Sequence, residues 1–319
     1  MRRRPPAIPV INARNFHSEA KKPTGADSPA AAVENAGSAY TAAAYAVCKN
    51  LMRRYSTSFS LASRLLPSET AYHISAIYAL ARISDEIVDG AWPGSTPEQR
   101  REELTHTEAR VQAGITNGYS SDVVIHAFAQ TVNRCGIPAH LWQAFFDSMR
   151  LDTEYTHHSE ASFSRYIYGS AEVIGHMCIY SFFAPKGIPA HHYEELMAGG
   201  SALGAALQKV NFLRDLGEDT ELGRRYFPDV HTKVLTEAQK QAWHDDIAED
   251  LTRAGHTIAL LPPRVQPAVW TAHGVFARLN ARIAKTPADS LAQYRVRVPA
   301  REKLGVAICG FFRAGRGGS

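Results

Sequence analysis

The stretch HISAIYALARISDEIVD (residues 73–89) decides the reading of this 319-residue chain. On a helix, residues three or four apart share a face. Tyr78, Arg82, Asp85 and Asp89 stand at spacings 4, 3 and 4 and form one polar stripe. Ile74, Ile77, Ala81, Ser84 and Val88 form a second, mostly apolar stripe, and Leu80, Ile83 and Ile87 flank it. A surface helix normally carries a broad polar face. A narrow polar stripe in an apolar helix is expected to face an internal cavity instead.

A second stretch repeats the design. ALQKVNFLRDLGED (206–219) sets Gln208, Asn211, Asp215 and Asp219 at spacings 3, 4 and 4, with Leu207, Val210, Leu213 and Leu216 around them and Arg214 ahead of the carboxylate pair. Glu86 and Glu218 add a further carboxylate to each motif. One such helix reads equally well as a solvated face with ordinary Arg–Asp pairs, which are worth little. Two of one design read as a site. Four inward aspartates repel unless something cationic neutralises them. Neither stripe contains His or Cys. Carboxylates without soft ligands suit Mg²⁺, with Mn²⁺ as a substitute, and Mg²⁺ usually bridges to substrate phosphates. The pattern therefore predicts a diphosphate substrate held through metal, with the stripe arginines clamping it directly.

Outward from these motifs the chain reads as helix almost throughout. Thr96-Pro97-Glu98 is an N-cap, a first-turn proline and an early acid, Thr236-Glu237 opens another helix, and Pro262-Pro263 breaks the chain before a third. Asp89-Gly90 and Asn117-Gly118 lack the alternating flanks of a hairpin. The expected organisation is all-α: a basic, proline-rich, disordered tail over 1–37, one helical domain over 38–310, and a flexible tail over 311–319.

Composition narrows the function. With 45% hydrophobic and 21% charged residues the chain is globular. Cys48, Cys135, Cys178 and Cys309 are widely separated, which argues against a zinc ribbon, a thioredoxin-type site or a disulfide scaffold. Of 35 basic and 31 acidic residues, six bases and one acid lie in the first 25, leaving 29 against 30 elsewhere, so the body does not read as a nucleic-acid binder. The basic N-terminus also has the composition of an organelle transit peptide, whereas no h-region follows for a secretory signal. The best apolar stretch, 166–184, contains Glu172 and His176, where a spanning helix needs about 20 nearly uncharged residues. No nucleotide-binding glycine motif is present. His157-His158 and His191-His192 sit among loop-forming residues and are expected to be solvated.

Tyr55–Phe59 (YSTSF), AIYALARISDEIVDG (76–90) and LQKVNFLRDLGEDTELGRRYFP (207–228) together resemble the head-to-head prenyl synthases, the squalene and phytoene synthase family. RLDTEY (150–155), YGSAEVIGHM (168–177) and SLAQYRVRVPAREKL (290–304) resemble further segments of it. Within the family the likeness is greatest to bacterial phytoene synthases of the actinobacterial type. It covers residues 40–310 and implies the isoprenoid synthase fold, with a central cavity between the aspartate-bearing helices. It further implies Mg²⁺ binding by Asp85, Asp89, Asn211, Asp215 and Asp219, with the four aspartates as catalytic residues. It implies diphosphate contacts from Tyr78, Arg82, Gln208, Asn211 and Arg214, and from the segment Tyr55, Ser56, Thr57 and Ser58. Two departures stand out: Val210-Asn211-Phe212 replaces a Thr-Asn-Ile, and Arg253–Thr257 stands where the family carries a tyrosine pair.

The implied reaction joins two geranylgeranyl diphosphates to phytoene through a cyclopropyl diphosphate, the first step of carotenoid biosynthesis, without NADPH. The rival readings are a squalene or dehydrosqualene synthase using farnesyl diphosphate, and a non-catalytic assembly factor on the same fold, which would be expected to lose aspartates. Phe59, Tyr180, Phe182 and Phe183 are candidates for lining a cavity that shelters a carbocation. With insoluble C20 tails and no spanning segment, the protein is expected to be cytoplasmic and peripherally attached to a membrane surface. Its basic N-terminus is expected to be drawn to anionic lipid.

Overall fold

Helix start and stop signals act where the sequence puts them. In the computed structural model, Thr96 and Thr236 each close a capping box with the glutamine three residues on, Gln99 and Gln239, and Pro97 opens its helix. Gly118 and Gly136, both at φ 66°, end two helices in the left-handed conformation that glycine adopts freely. The structure describes residues 29–89, 92–154, 157–221, 223–228 and 235–314. Among them are thirteen α-helices and no β-strand, only an isolated bridge between His157 and Arg225. The helices are α1 (Pro29–Tyr55), α2 (Thr57–Ser63), α3 (Ser68–Asp89), α4 (Pro97–Asn117), α5 (Val123–Cys135), α6 (Ala139–Glu154), α7 (Glu160–Ile167), α8 (Val173–Phe183), α9 (Tyr193–Glu221), α10 (Glu237–Ile258), α11 (Gln266–Ala284), α12 (Ala288–Leu291) and α13 (Ala300–Ala314).

By internal contacts, residues up to Tyr40 form one unit, and its described part, residues 29–40, is helix. Helix therefore begins at Pro29, ahead of the boundary expected at 38, on the alanines that follow it. At the other end α13 runs to Ala314, past 310. The expected tails otherwise lie outside the described residues.

The second unit, from Thr41 onward, buries two large cores. One joins α3, α4, α5, α6 and α8 around Phe128, Trp142, Phe145 and Phe146. The other joins α7, α9, α10 and α11 around Phe163, Phe212, Tyr226 and Phe227. A single π-helical turn, Tyr168–Glu172, links α7 to α8; such turns are frequent at functional sites.

Small residues let α8 and this turn approach α9 closely. A Cβ on Gly175 would lie 2.2 Å from the Gly200 carbonyl oxygen, and one on Gly204 would lie 2.4 Å from that of Ala171. Gly175→Ala is therefore expected to cost about 1–3 kcal/mol, as overpacking of a tight core does. A thermal melt checks this, and an unchanged midpoint would show that the two helices separate without cost.

Candidate active site

The two polar stripes face one cavity of about 980 Å³, at the upper end of small-molecule sites. All thirteen residues expected at the site border it: Tyr55, Ser56, Thr57 and Ser58 at the α1–α2 corner, Tyr78, Arg82, Asp85 and Asp89 on α3, and Gln208, Asn211, Arg214, Asp215 and Asp219 on α9. The corner is built by Ser56, the N-cap of α2, whose Oγ accepts the Phe59 N–H at 3.1 Å. Tyr55 is thereby turned over Arg82, with the guanidinium carbon 4.5 Å from the ring centroid. Thr57 Oγ1 lies 2.7 Å from Lys303 Nζ, which ties the corner to the start of α13.

The carboxylates divide by partner. Asp215 accepts Arg214 Nε at 2.8 Å and Arg295 Nε at 2.9 Å, and Arg295 also reaches Glu218 at 3.3 Å. Asp89 is ion-paired with Arg224, whose second nitrogen donates to the Val88 carbonyl at 3.2 Å. Arg82 donates to Glu86 at 3.0 Å. Asp85 and Asp219 have no ion pair among the described residues. Burial, then the charge of Asp89, pushes the Asp85 carboxyl up to about 8. Burial, then Asp215, pushes Asp219 up to about 7. Asp89 acts on both, so the two motifs form one electrostatic cluster.

A fifth acid completes that cluster, although the stripe pattern did not mark it. Asp152, from α6, accepts the Tyr166 hydroxyl at 2.5 Å, and burial pushes its carboxyl up to about 7. Tyr226 stacks on Phe212 with centroids 4.0 Å apart, and on Tyr166 at 5.4 Å. His158 is buried beneath this stack, 5.0 Å from Tyr166 and 5.8 Å from Tyr226, rather than solvated as expected. Burial lowers its pKa and favours the neutral ring. His157, His191 and His192 are not buried.

Of the aromatic candidates, Phe59 and Phe182 line the cavity and Tyr180 and Phe183 do not. The Tyr180 hydroxyl lies 3.1 Å from that of Tyr193. Phe145, Phe212 and Phe276 supply further aromatic wall. In place of a tyrosine pair, α10 presents Ala254 and Thr257 to the cavity, while Arg253 turns away to Asp250.

The raised carboxyls fix the sign of a pH effect. Their native pKa values lie above the unfolded value near 3.9, so the metal-free native state holds more protons than the unfolded chain. Stability must fall as pH rises through about 7 to 8. Buried histidines with lowered pKa, such as His73 and His273, act in the opposite sense but are neutral above about pH 6.5 in both states. Melts in chelator are therefore expected to shift down between pH 6.5 and 8.5. A flat profile would show that the arginines already balance the cluster.

Among the described residues no three His, Cys, Asp or Glu side chains are gathered tightly enough to chelate one ion. The carboxylates of the two stripes are hard oxygen donors of the kind that Mg²⁺ takes. No helix among the described residues is long and apolar enough to cross a membrane.

The chain resembles known proteins over the same region. It is 32% identical over 187 residues to the phytoene synthase of Mycobacterium tuberculosis, a match spanning 58% of this chain and 57% of that protein's length. It is 27% identical over 282 residues to the phytoene synthase of Arthrospira platensis, covering 82% of this chain and 90% of the other. It is 29% identical over 214 residues to the 4,4'-diapophytoene synthase of Staphylococcus haemolyticus, covering 66% and 68%. A crystal structure of a dehydrosqualene synthase superposes with a TM-score of 0.75 at 17% identity, covering 88% of this chain and 99% of that one, which identifies the isoprenoid synthase fold. The squalene/phytoene synthase profile matches residues 52–302, so the chain belongs to that family.

Proposed function

We propose that this protein catalyses the Mg²⁺-dependent, head-to-head condensation of two geranylgeranyl diphosphates to phytoene through a cyclopropyl diphosphate. The observation that carries this reading is the convergence of both aspartate stripes on one cavity whose remaining wall is largely apolar and aromatic. Arg82, Arg214, Gln208 and Asn211 stand where they can hold a diphosphate as it leaves, and the Tyr55–Ser58 corner stands at the same rim.

Mg²⁺ held by Asp85, Asp89, Asn211, Asp215 and Asp219 would neutralise charge developing on the leaving diphosphate. The aromatic wall excludes water, which would quench an allylic cation, and faces that cation with π-electron density. One diphosphate leaves as the second substrate's double bond attacks, and a proton is lost as the cyclopropane closes. The second diphosphate leaves as the ring rearranges, and loss of a further proton gives phytoene, so no reductant is consumed. The similarity to the Staphylococcus haemolyticus 4,4'-diapophytoene synthase favours the C15 alternative as the second reading.

Incubation of the purified protein with Mg²⁺ and each of the C15 and C20 diphosphates, followed by product analysis, decides between them. The expected outcome is phytoene from the C20 substrate. A C30 product with none from C20 would replace this reading by the second.

A further inference from the structure

A third apolar core, which includes Leu196 near the start of α9, closes the cavity at the end away from the aspartates. Phe182, Ile258, Leu261 and Val269 belong to that core and line the cavity, so they form its floor. Along α11 the cavity wall reads Val269, Ala272, Phe276 and Leu279, at helical spacings 3, 4 and 3. Along α8 it reads Ile174, Cys178 and Phe182, at spacing 4. On both helices the residue one turn above the floor is small, with bulky neighbours above and below it.

The other two helices leave the same level open. Helix α9 presents Gly199 and Gly200 there. Gly200 meets Gly175 of α8 backbone to backbone, and a Cβ added to Gly200 would lie 3.3 Å from Ile179 Cγ1. Across from Gly199 stands Thr257 of α10, whose Oγ1 would lie 1.8 Å from a Cβ at that glycine. The Thr257 hydroxyl donates to the Ala254 carbonyl at 2.9 Å, so it needs no partner in the cavity. Burial pushes the Cys178 thiol up to about 12, which leaves it neutral. A wall with neutral, satisfied groups suits hydrocarbon.

The depth of this level matches a particular chain. From Gly200 to Asp215 is 15 residues, about 22 Å along α9 at a rise of 1.5 Å per residue. An extended isoprene unit is comparable in length to one helical turn, about 5.4 Å. Four units counted from a diphosphate beside Asp215 end level with Gly200. Three units end a turn short, beside Leu203 and Gly204, and leave the space above the floor unfilled.

We propose that Ala272 and Cys178 set the prenyl chain length, by leaving room above the floor for the fourth isoprene unit of one substrate; this assignment rests on the prenyl diphosphate reading above. The floor residue Phe182 then sets the upper limit.

The test is calorimetric binding of unreactive thiolodiphosphate analogues of the C15, C20 and C25 chains, with Mg²⁺, to the full chain. The intact protein should hold the C20 analogue about tenfold or more tighter than the C15 one, as an added apolar unit in a fitted pocket does. Ala272→Leu and Cys178→Leu, from opposite walls, should each remove that preference and leave C15 binding within about twofold. Both side chains enter open cavity, so both melting temperatures should stay close to that of the intact protein. Phe182→Ala should gain tight binding of the C25 analogue, a result that a damaged fold cannot produce.

A C20 preference kept in both leucine variants, or loss of C15 and C20 binding together in folded variants, would overturn the assignment alone. So would a Phe182→Ala variant that still rejects C25. Equal binding of C15 and C20 by the intact protein would overturn both the assignment and the C20 substrate, and failure to bind any analogue would overturn the prenyl diphosphate reading with them.

Discussion

Asp85→Asn is expected to lower turnover by about 10²–10³-fold or more while raising the melting temperature of the metal-free protein. The first effect follows from removing a negative ligand where transition-state charge is to be stabilised. The second follows from the burial and like-charge crowding that push Asp85 up to about 8, because an isosteric amide carries no charge to desolvate. The gain should appear at pH 8.5 and vanish near pH 5.5, where the native carboxyl is already protonated. Asp215→Asn should behave differently. It would leave Arg214 and Arg295 without the carboxylate that both engage, so its melting temperature should fall along with its activity. Kinetics together with melts of the two variants at both pH values check this contrast. A lowered midpoint for Asp85→Asn at pH 8.5 would mean that Asp85 is a structural ion-pair partner.

Removing divalent metal with EDTA is expected to abolish activity completely and at once, and excess Mg²⁺ or Mn²⁺ should restore it. Mg²⁺ keeps several waters and takes substrate phosphates as ligands, so metal on these carboxylates should bind weakly until a diphosphate supplies oxygens. Inactivation should therefore be fast and reversible rather than a slow extraction. The fold should survive, since the cores on either side of the cavity are independent of the carboxylates. Circular dichroism alongside the assay checks that point. Undiminished turnover in chelator would end the metal role.

Much of the site could be read from sequence because its residues recur at helical spacing on two helices. The stripes on α3 and α9 announce themselves against apolar neighbours, and all thirteen expected residues border one cavity. Asp152, Tyr166, Arg224 and Tyr226 enter that cluster from three separate segments. Each segment supplies one or two of them at no repeating helical spacing, so no periodicity marks them, although Asp152, Arg224 and Tyr226 lie in stretches that carry the family likeness.

Helix α8 offers candidates without a phase, for a different reason. VIGHMCIYSFF is apolar nearly all round, so its phase cannot be taken from its pattern. The cavity receives Cys178, Ile179 and Phe182 but not Tyr180 or Phe183. His158 has polar sequence neighbours, yet the aromatic stack that buries it is assembled by residues 166 and 226, out of reach of any local reading.

The central claim is that carboxylates of α3 and α9 together hold a metal–diphosphate unit in one cavity. Calorimetric titration of inorganic pyrophosphate into the purified protein tests it without any turnover. Pyrophosphate should bind with Mg²⁺ present, should not bind in EDTA, and should lose most of its Mg²⁺-dependent affinity in both Asp85→Asn and Asp219→Asn. Equal binding with and without Mg²⁺, or loss in only one of the two variants, would contradict the account.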